Sequence, residues 1–579
     1  MITKHENGNI SIKGASYDLL VRGHIIDVII CGTAFASLDV RTAINQTNDD
    51  LSVEKDAESD IPTIASVNSK QGEAEIIWTN KSSLWEKEYK LICTYTRFKF
   101  FVKIKGKGRV DSVNYFSGNM AAKNFGSGYE FSNGFYPNKA YNDSEPEYSF
   151  RAGKPCHRLI RTNGLMVPPM FVYSFRCEGI GERLALGLVA ERGEHNFHNF
   201  VYNLSELFDV HTGFYLSTDQ DGHTYVDGEW TAPYIIGYSA IDDLNACQKY
   251  SDYYFSSGIA KPIKVGSKPR FWYGPFICGW LHQGIYADKQ GASYASLCKK
   301  WLYDEMLDIC EKNDLHPKAM VIDDKWMKAY STYEVDPERF PNFREYVDEC
   351  KAKGVHPMLW FMMWSAQGWP HEEMIITDDY NDKALDPSHP LVIENIKKSI
   401  RRMLSSEEGC YDCDGLKMDY AFVNPMGKNF KTYSGKYGVE LMYDYMELVY
   451  NTAHEIKPYA LINNSVCHPY FAHICDQSRL HDYFNTNRRN LEDLSLRSQL
   501  FAIAVPGALQ DTDNAGFITR RDTMRWQLNQ QTVGVPDLYA LIPSATFDFN
   551  SDDLGAIAQV WNEYSAKIDA MVGEDDLCK

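Results

Sequence analysis

Asp414-Gly415-Leu416-Lys417-Met418-Asp419-Tyr420 is the stretch on which the reading of the fold turns. Leu416, Met418 and Tyr420 alternate with Gly415, Lys417 and Asp419, which is the two-residue period of a strand. Alternation puts Lys417 and Asp419 on one face, at the strand's C-terminal end. A cation fixed beside a carboxylate favours its charged form and keeps it ionised near neutral pH. Such a carboxylate at the mouth of a barrel can serve as nucleophile, base or metal ligand. Taken alone, a K-x-D strand end reads first as an ion pair, so the surrounding chain has to decide.

Working outward, short apolar strands alternate with helical stretches from about residue 270 onward. Strands read at 270–277, 319–322, 357–361, 415–418, 460–462 and 538–542, with helices at about 294–313, 342–353, 389–404, 439–456 and 553–571. This alternation predicts β/α units on a parallel sheet, and over 269–579 a closed (β/α)8 barrel is the economical arrangement. Residues 1–240 read instead as an N-terminal β-sandwich. The segment 90–105 alternates and is rich in β-formers before Gly106-Lys107-Gly108 punctuates it, and further strands read at 75–79, 171–176 and 184–189. Between the two domains, 241–268 reads as a helical linker, with a helix at 242–256 and a Pro- and Lys-containing tail.

Composition narrows the partners. A net charge of −19 leaves nothing basic to neutralise a phosphate backbone, so no nucleic acid is expected. No apolar run reaches membrane-spanning length, so no membrane partner is expected either. The opening Met1-Ile2-Thr3-Lys4-His5-Glu6 carries no apolar core of a secretory signal. The expected location is cytoplasmic, or periplasmic or secreted if a leader has been removed. The 14 Cys are scattered and read as buried thiols rather than a disulfide framework. Cys410-x-x-Cys413 precedes a strand instead of opening a helix, which argues against redox chemistry. Cys467, His468, His473, Cys475 and Asp476 fit no common zinc spacing. The run 511–516 mimics the start of a calcium loop but places Ala515 at a ligand position. No metal and no organic cofactor are expected.

Chemistry in a barrel belongs at the C-terminal strand ends. Read in order, these give Asp323-Asp324-Lys325-Trp326, then Trp360 with Trp364, then Lys417 and Asp419. Asn463 and Asn464 follow, then Ser478-Arg479-Leu480-His481-Asp482, and finally Asp511 and Asp513. Clustered carboxylates repel one another and stabilise nothing. They suit a sugar: carboxylates accept from hydroxyls, Trp covers a ring face, and two carboxylates split a glycosidic bond.

These strand ends resemble the retaining α-galactosidase clan, especially the families that hold bacterial α-galactosidases and plant raffinose synthases. Val321-Ile-Asp-Asp-Lys-Trp326 resembles its I-D-D-G-W strand end, with Lys325 where the family has Gly. The passage from Asp336-Pro-Glu-Arg-Phe-Pro341 to Gly354-Val-His-Pro-Met-Leu-Trp360 resembles its D-x-x-x-F-P to G-x-x-x-G-x-W passage. Leu416-Lys-Met-Asp-Tyr420 matches its nucleophile strand, and Ser478-Arg-Leu-His-Asp-Tyr-Phe484 looks like its acid/base segment. The resemblance covers roughly 319–515. It implies Asp419 as nucleophile and Asp482 as acid/base, with Asp476 the other candidate for that second role. It also implies Asp323, Asp324, Lys417 and Arg479 as hydroxyl-binding residues, and Trp326, Trp360 and Asp513 complete the expected substrate site.

The expected activity is therefore that of a retaining exo-α-glycosidase, an α-galactosidase first, acting on an oligosaccharide or other glycoside, with a homo-oligomer possible. Four rivals stay open, one of them a metal-dependent hydrolase resting on the 467–476 cluster, which insensitivity to a chelator would dismiss. A raffinose synthase-like transglycosidase would use the same two carboxylates, and an α-glycosidase for an acidic or N-acetylated sugar would differ in the pocket around Lys325. A carbohydrate-binding protein without catalysis would not need both Asp419 and Asp482.

Overall fold

The computed structural model describes residues 2–116 except 58 and 71, 129–130, 170–177, 180–204, 214–263, 268–379, 382–480, 498–511, 534–542 and 553–572. Its fold is an N-terminal unit of antiparallel, sandwich-like sheets followed by a parallel barrel of the (β/α)8 type.

The first sheet is a five-stranded antiparallel meander from Ile2–Lys4 to Thr33–Asp39. The second is organised around the long strand Phe98–Tyr115, which pairs antiparallel with Glu86–Cys93, Ala43–Thr47, Phe214–Thr231 and Tyr234–Ala240. Period-2 alternation is visible in Glu86–Cys93, where Lys87, Tyr89, Leu91 and Cys93 are buried and their neighbours are not. The one charged member of that row, Lys87, is paired with Asp56 at 2.6 Å, which satisfies a charge otherwise costly to bury.

Two sequence expectations fail in this domain. The segment 90–105 is not one strand but a hairpin, because a turn closes it where Thr94 N donates to Arg97 O at 2.8 Å. Gly106 and Gly108 do not stop the strand, which runs on to Tyr115. They serve close packing instead: a Cβ on Gly106 would come within 2.7 Å of the Trp85 indole.

The barrel strands are Phe276–Cys278, Ala319–Ile322, His356–Met362, Gly415–Asp419, Leu461–Asn464, Gln477–Arg479 and Leu509–Asp511, each parallel to the next. Closure comes from 534–538. Gly534–Val535 pairs with Leu509–Asp511 and Asp537–Leu538 pairs with Phe276–Cys278, both in parallel. Pro536 splits this last strand, since it has no N–H to give the ladder, yet its carbonyl accepts from Phe276 N at 2.9 Å. Arg270–Tyr273, expected as strand, is a helical turn leading into the first strand.

The helices behave as amphipathic barrel staves. In Pro390–Leu404, Pro390 sits at the first turn, where its missing N–H costs nothing. Val392, Ile396, Ile400 and Met403 recur every three or four residues and are buried. The helix Asp243–Ser256, capped by Asp242 accepting from Asn245 N at 2.7 Å, lies between the two domains. Tyr250 Oη on it donates to Leu188 O at 2.6 Å and meets His468 Nε2 at 3.1 Å, while Ser251 Oγ donates to Ile503 O at 2.7 Å. No helix among the described residues is long and apolar enough to cross a membrane.

Candidate active site

Asp419 ends the fourth barrel strand, and three donors converge on it. Trp360 Nε1, from the neighbouring third strand, donates to Oδ2 at 2.9 Å. Arg479 Nη2, from the end of the sixth strand, donates to Oδ1 at 2.8 Å, and the Tyr420 amide donates to the same oxygen at 2.8 Å. Register explains the first contact, since Trp360 pairs with Lys417 and both Trp360 and Asp419 project at the C-terminal rim. Burial opposes ionisation of Asp419, but the charges of Arg479 and Lys417 and the hydrogen bonds from Arg479 and Trp360 outweigh it. They hold the carboxyl well below the usual range. Its side chain keeps 15% exposure, so an ionised, oriented oxygen remains reachable.

Lys417 does not touch Asp419 directly. Its ammonium is buried and pairs with Asp323 Oδ2 at 2.9 Å, beside Cys278 Sγ at 3.8 Å and over the Tyr539 ring at 4.9 Å. The K-x-D expectation is thus corrected: the cation in contact with Asp419 is Arg479, and Lys417 acts on it only through space. Asp323 is 2% exposed and takes three protein donors, Lys417 and the Cys278 thiol on Oδ2 and the Asp324 amide on Oδ1. Its own amide donates to Tyr303 Oη at 2.8 Å. Asp324 is more open. It accepts from Tyr330 Oη at 2.8 Å, and burial together with the charges of Asp323 and Asp419 pushes its carboxyl up to about 6, against the pull of Tyr330 and Lys325.

Lys325 adopts φ +79°, a left-handed conformation that favours glycine. Its ammonium lies 3.8 Å from the centre of the Tyr330 ring and donates to Gln367 Oε1. Trp326, expected to cover a sugar ring, has no exposed surface. It stacks on Phe343 at 6.2 Å and 10°, and its Nε1 donates to Trp360 O at 2.9 Å. The turn at Lys325 sends this side chain back into the core, so Trp326 supports Trp360 from behind and offers no ring face to a ligand. Trp360 is itself 1% exposed and orients Asp419.

Asn463, at the end of the fifth strand, donates to Gln477 Oε1 at 2.8 Å and to Asp511 Oδ2 at 2.7 Å. Asp476 precedes the sixth strand, at the opposite end of the barrel from Asp419. It is held by Tyr450 Oη, His454 Nε2 and the Ile462 amide, each at 3.0 Å, so it does not face the nucleophile candidate. Asp482 and Asp513 lie outside the described residues. Among those described, no group of three or more His, Cys, Asp or Glu is arranged to hold a metal ion.

The loop that leaves Asp419 is fastened to the N-terminal domain. His223 Nε2 donates to Gly427 O at 2.8 Å and its ring stacks on Tyr437 at 4.0 Å and 9°. Tyr437 Oη donates to Asp221 Oδ2 at 2.6 Å, and Lys428 pairs with Asp111. From the other side, Asp379 accepts from the amides of Lys428 and Asn429 at 3.0 and 3.2 Å. Gly427 has φ +107°, and a Cβ there would collide with the Asp379 carboxylate. Sequence reading missed Tyr330, Cys278, Tyr303 and this junction. None has a periodic signal, since each acts across long separations or from irregular backbone.

Residues 291–465 match the family model of the glycosyl hydrolases family 31 TIM-barrel domain, a stretch that holds Asp323, Asp324, Trp360, Lys417 and Asp419. Comparison with curated proteins gives no significant match. Among solved structures, the chain is similar to a family 31 sulfoquinovosidase from E. rectale determined with an aza-sugar inhibitor. The identity is 10%, with 99% of this chain and 84% of that one covered at a TM-score of 0.56. It is also similar to the α-galactosidase from Lactobacillus brevis, at 11% identity over 97% and 84% of the two chains and a TM-score of 0.52. A third is the GH36 α-galactosidase AgaA from Geobacillus stearothermophilus, determined with stachyose, at 11% identity over 96% and 86% and a TM-score of 0.52. At these identities the structural likeness speaks for the fold. Together with the matched barrel stretch, it supports a glycoside hydrolase, with the sugar left open between families.

Proposed function

We propose that this protein is a retaining exo-α-glycosidase whose nucleophile is Asp419 and whose preferred substrates are α-galactosides. The observation that carries the reading is the setting of Asp419: an accessible carboxylate at a barrel strand's C-terminal end, kept ionised and aimed by Trp360, Arg479 and the Tyr420 amide. A nucleophile needs that tuning, because a protonated carboxyl cannot attack an anomeric carbon. In this mechanism Asp419 attacks the anomeric carbon while Asp482, protonated, donates to the departing oxygen. Water, activated by the same Asp482, then releases the sugar with its α configuration retained. Asp324 receives a hydroxyl on the far side of the ring, and galactose is favoured because the resembling clan pairs this strand end with its axial O4 and with O6.

The test is proton NMR of the first product formed from an aryl α-galactoside. The α-anomer of galactose is expected first, with α-glucosides at least about a hundredfold slower. A first-formed β-anomer overturns the retaining mechanism, and a preference for another sugar overturns the specificity. If the product is a new oligosaccharide when a sugar acceptor is present, transfer replaces hydrolysis with the same nucleophile. Asp419→Asn is expected to lose at least about a thousandfold in kcat while the circular dichroism spectrum is unchanged.

A further inference from the structure

The first of the two adjacent carboxylates, Asp323, is committed to the protein: it is buried and takes the Lys417 ammonium, the Cys278 thiol and the Asp324 amide. The pair therefore does not act as two equal acceptors. Reading of a ligand hydroxyl falls to Asp324, and the structure shows what governs that residue. Tyr330 Oη donates to Asp324 Oδ1 at 2.8 Å, and among the described residues no protein donor reaches Oδ2. Tyr330 is in turn held from two sides. Lys325 Nζ lies 3.8 Å from its ring centre on one side, and the Trp360 indole lies 5.6 Å away at a 58° tilt on another. Gln367 locks the group, accepting from Lys325 Nζ and, at 3.4 Å, from the Tyr330 amide, while Gln367 O accepts from Ser331 Oγ at 2.7 Å.

We propose that Tyr330 is a specificity-determining residue of the site: it occupies one oxygen of Asp324, leaves the other to receive a single sugar hydroxyl, and is kept in place by Lys325. The inference rests on the glycosidase reading and adds to it a residue that no motif of the sequence marks. The left-handed backbone at Lys325 belongs to the same device. A residue with a long cationic side chain in a turn better suited to glycine is explained if that side chain has a task, and here it covers the phenol ring. The sugar group this arrangement reads is a neutral hydroxyl donor. An anionic substituent would meet Asp324 and Asp419, while the ammoniums of Lys325 and Lys417 are already engaged.

Among the described residues, the titratable groups facing Asp324 are Asp323 on its own turn, Lys325 and Tyr330 on the following segment, and Asp419 across the rim. Because Asp419 titrates far lower, the acid limb of kcat/KM on an aryl α-galactoside reports Asp324 and is expected near 6. Removing the phenol donor in Tyr330→Phe destabilises the ionised carboxyl, so the limb is expected to move to higher pH by about half a unit to one unit. Lys325→Met should move it in the same direction by less. A protonated Asp324 can either give or take a hydrogen bond, so discrimination between the parent glycoside and its 4-deoxy or 6-deoxy analogue is expected to fall about tenfold in Tyr330→Phe. A purely structural role for Tyr330 would lower activity without moving either readout. An active wild type whose two variants keep its acid limb and its deoxy discrimination overturns this inference alone. A wild type inert toward every aryl α-glycoside overturns the glycosidase reading, and this inference with it.

Discussion

Asp414 and Asp419 sit five residues apart at opposite ends of one strand, and replacing the first is expected to affect stability and nothing else. Asp414 is 2% exposed and accepts from His356 Nδ1 at 2.7 Å and Lys457 Nζ at 2.8 Å, with Lys351 at 3.2 Å. Burial raises its pKa, but His356, Lys457 and Lys351 more than offset this and bring the carboxyl from 3.8 down to about 2. At 1.36 kcal/mol per tenfold change in acidity, that depression contributes about 2 kcal/mol at neutral pH. Because the folded pKa is the lower one, this stability is complete above about pH 4. It is lost as the pH falls toward 2, and about half remains at pH 3. Asp414→Asn removes it at every pH and also leaves Lys457 buried with only Asp412 Oδ1 and two carbonyls, Asp412 O and Cys413 O. The expected loss at pH 7 is therefore about 2–4 kcal/mol. Urea unfolding followed by tryptophan fluorescence at pH 7 and pH 3 measures it. A difference below about 0.5 kcal/mol at pH 7, or one as large at pH 3 as at pH 7, would refute the reasoning.

Other perturbations separate the roles further. Trp360→Phe keeps a ring but removes a donor from Asp419, so kcat/KM should fall about ten- to hundredfold, and a change of less than twofold would show that the indole N–H does not matter. Lys325→Gly relieves the left-handed backbone and should raise stability by about 0.5–1 kcal/mol, visible as a higher Tm; a lower Tm would mean that the side chain's cover of Tyr330 outweighs the strain. A chain beginning at residue 262 would expose the barrel faces that meet His195, His223 and Tyr250, and it is expected to be poorly soluble and weakly active. Full activity from such a chain would show the sandwich to be dispensable.

The barrel was legible because its strands are apolar runs and its helices keep a clean three-to-four-residue rhythm, as in Pro390–Leu404. Gly415–Asp419 was legible for the added reason that one polar face of an alternating strand must go somewhere. What could not be read is who meets whom. Arg479 reaches Asp419 across sixty residues, from a three-residue strand too short to carry any period. Trp326 looked like a platform because a Trp at a strand end can turn either way. The deciding fact, a positive φ at the preceding Lys325, has no signature in a lysine. In the sandwich, glycines were read as punctuation although Gly106 makes room for the Trp85 indole and Gly108 for Gln46.

The fastening of the loop after Asp419 has a consequence for how such a protein diversifies. Asp111, Asp221 and His223 belong to the sandwich, yet they hold Lys428, Tyr437 and Gly427 on the stretch that departs from the strand ending in Asp419. The contour of the loop that follows Asp419 is thus set jointly by two modules, one of which carries none of the carboxylates placed around Asp419. Exchanging the sandwich for that of a relative would redraw that contour with every barrel residue unchanged, so the two modules have to be inherited as a matched pair. Under the proposed function, substitutions in Phe214–Thr231 become a route to a changed substrate preference with every barrel strand untouched.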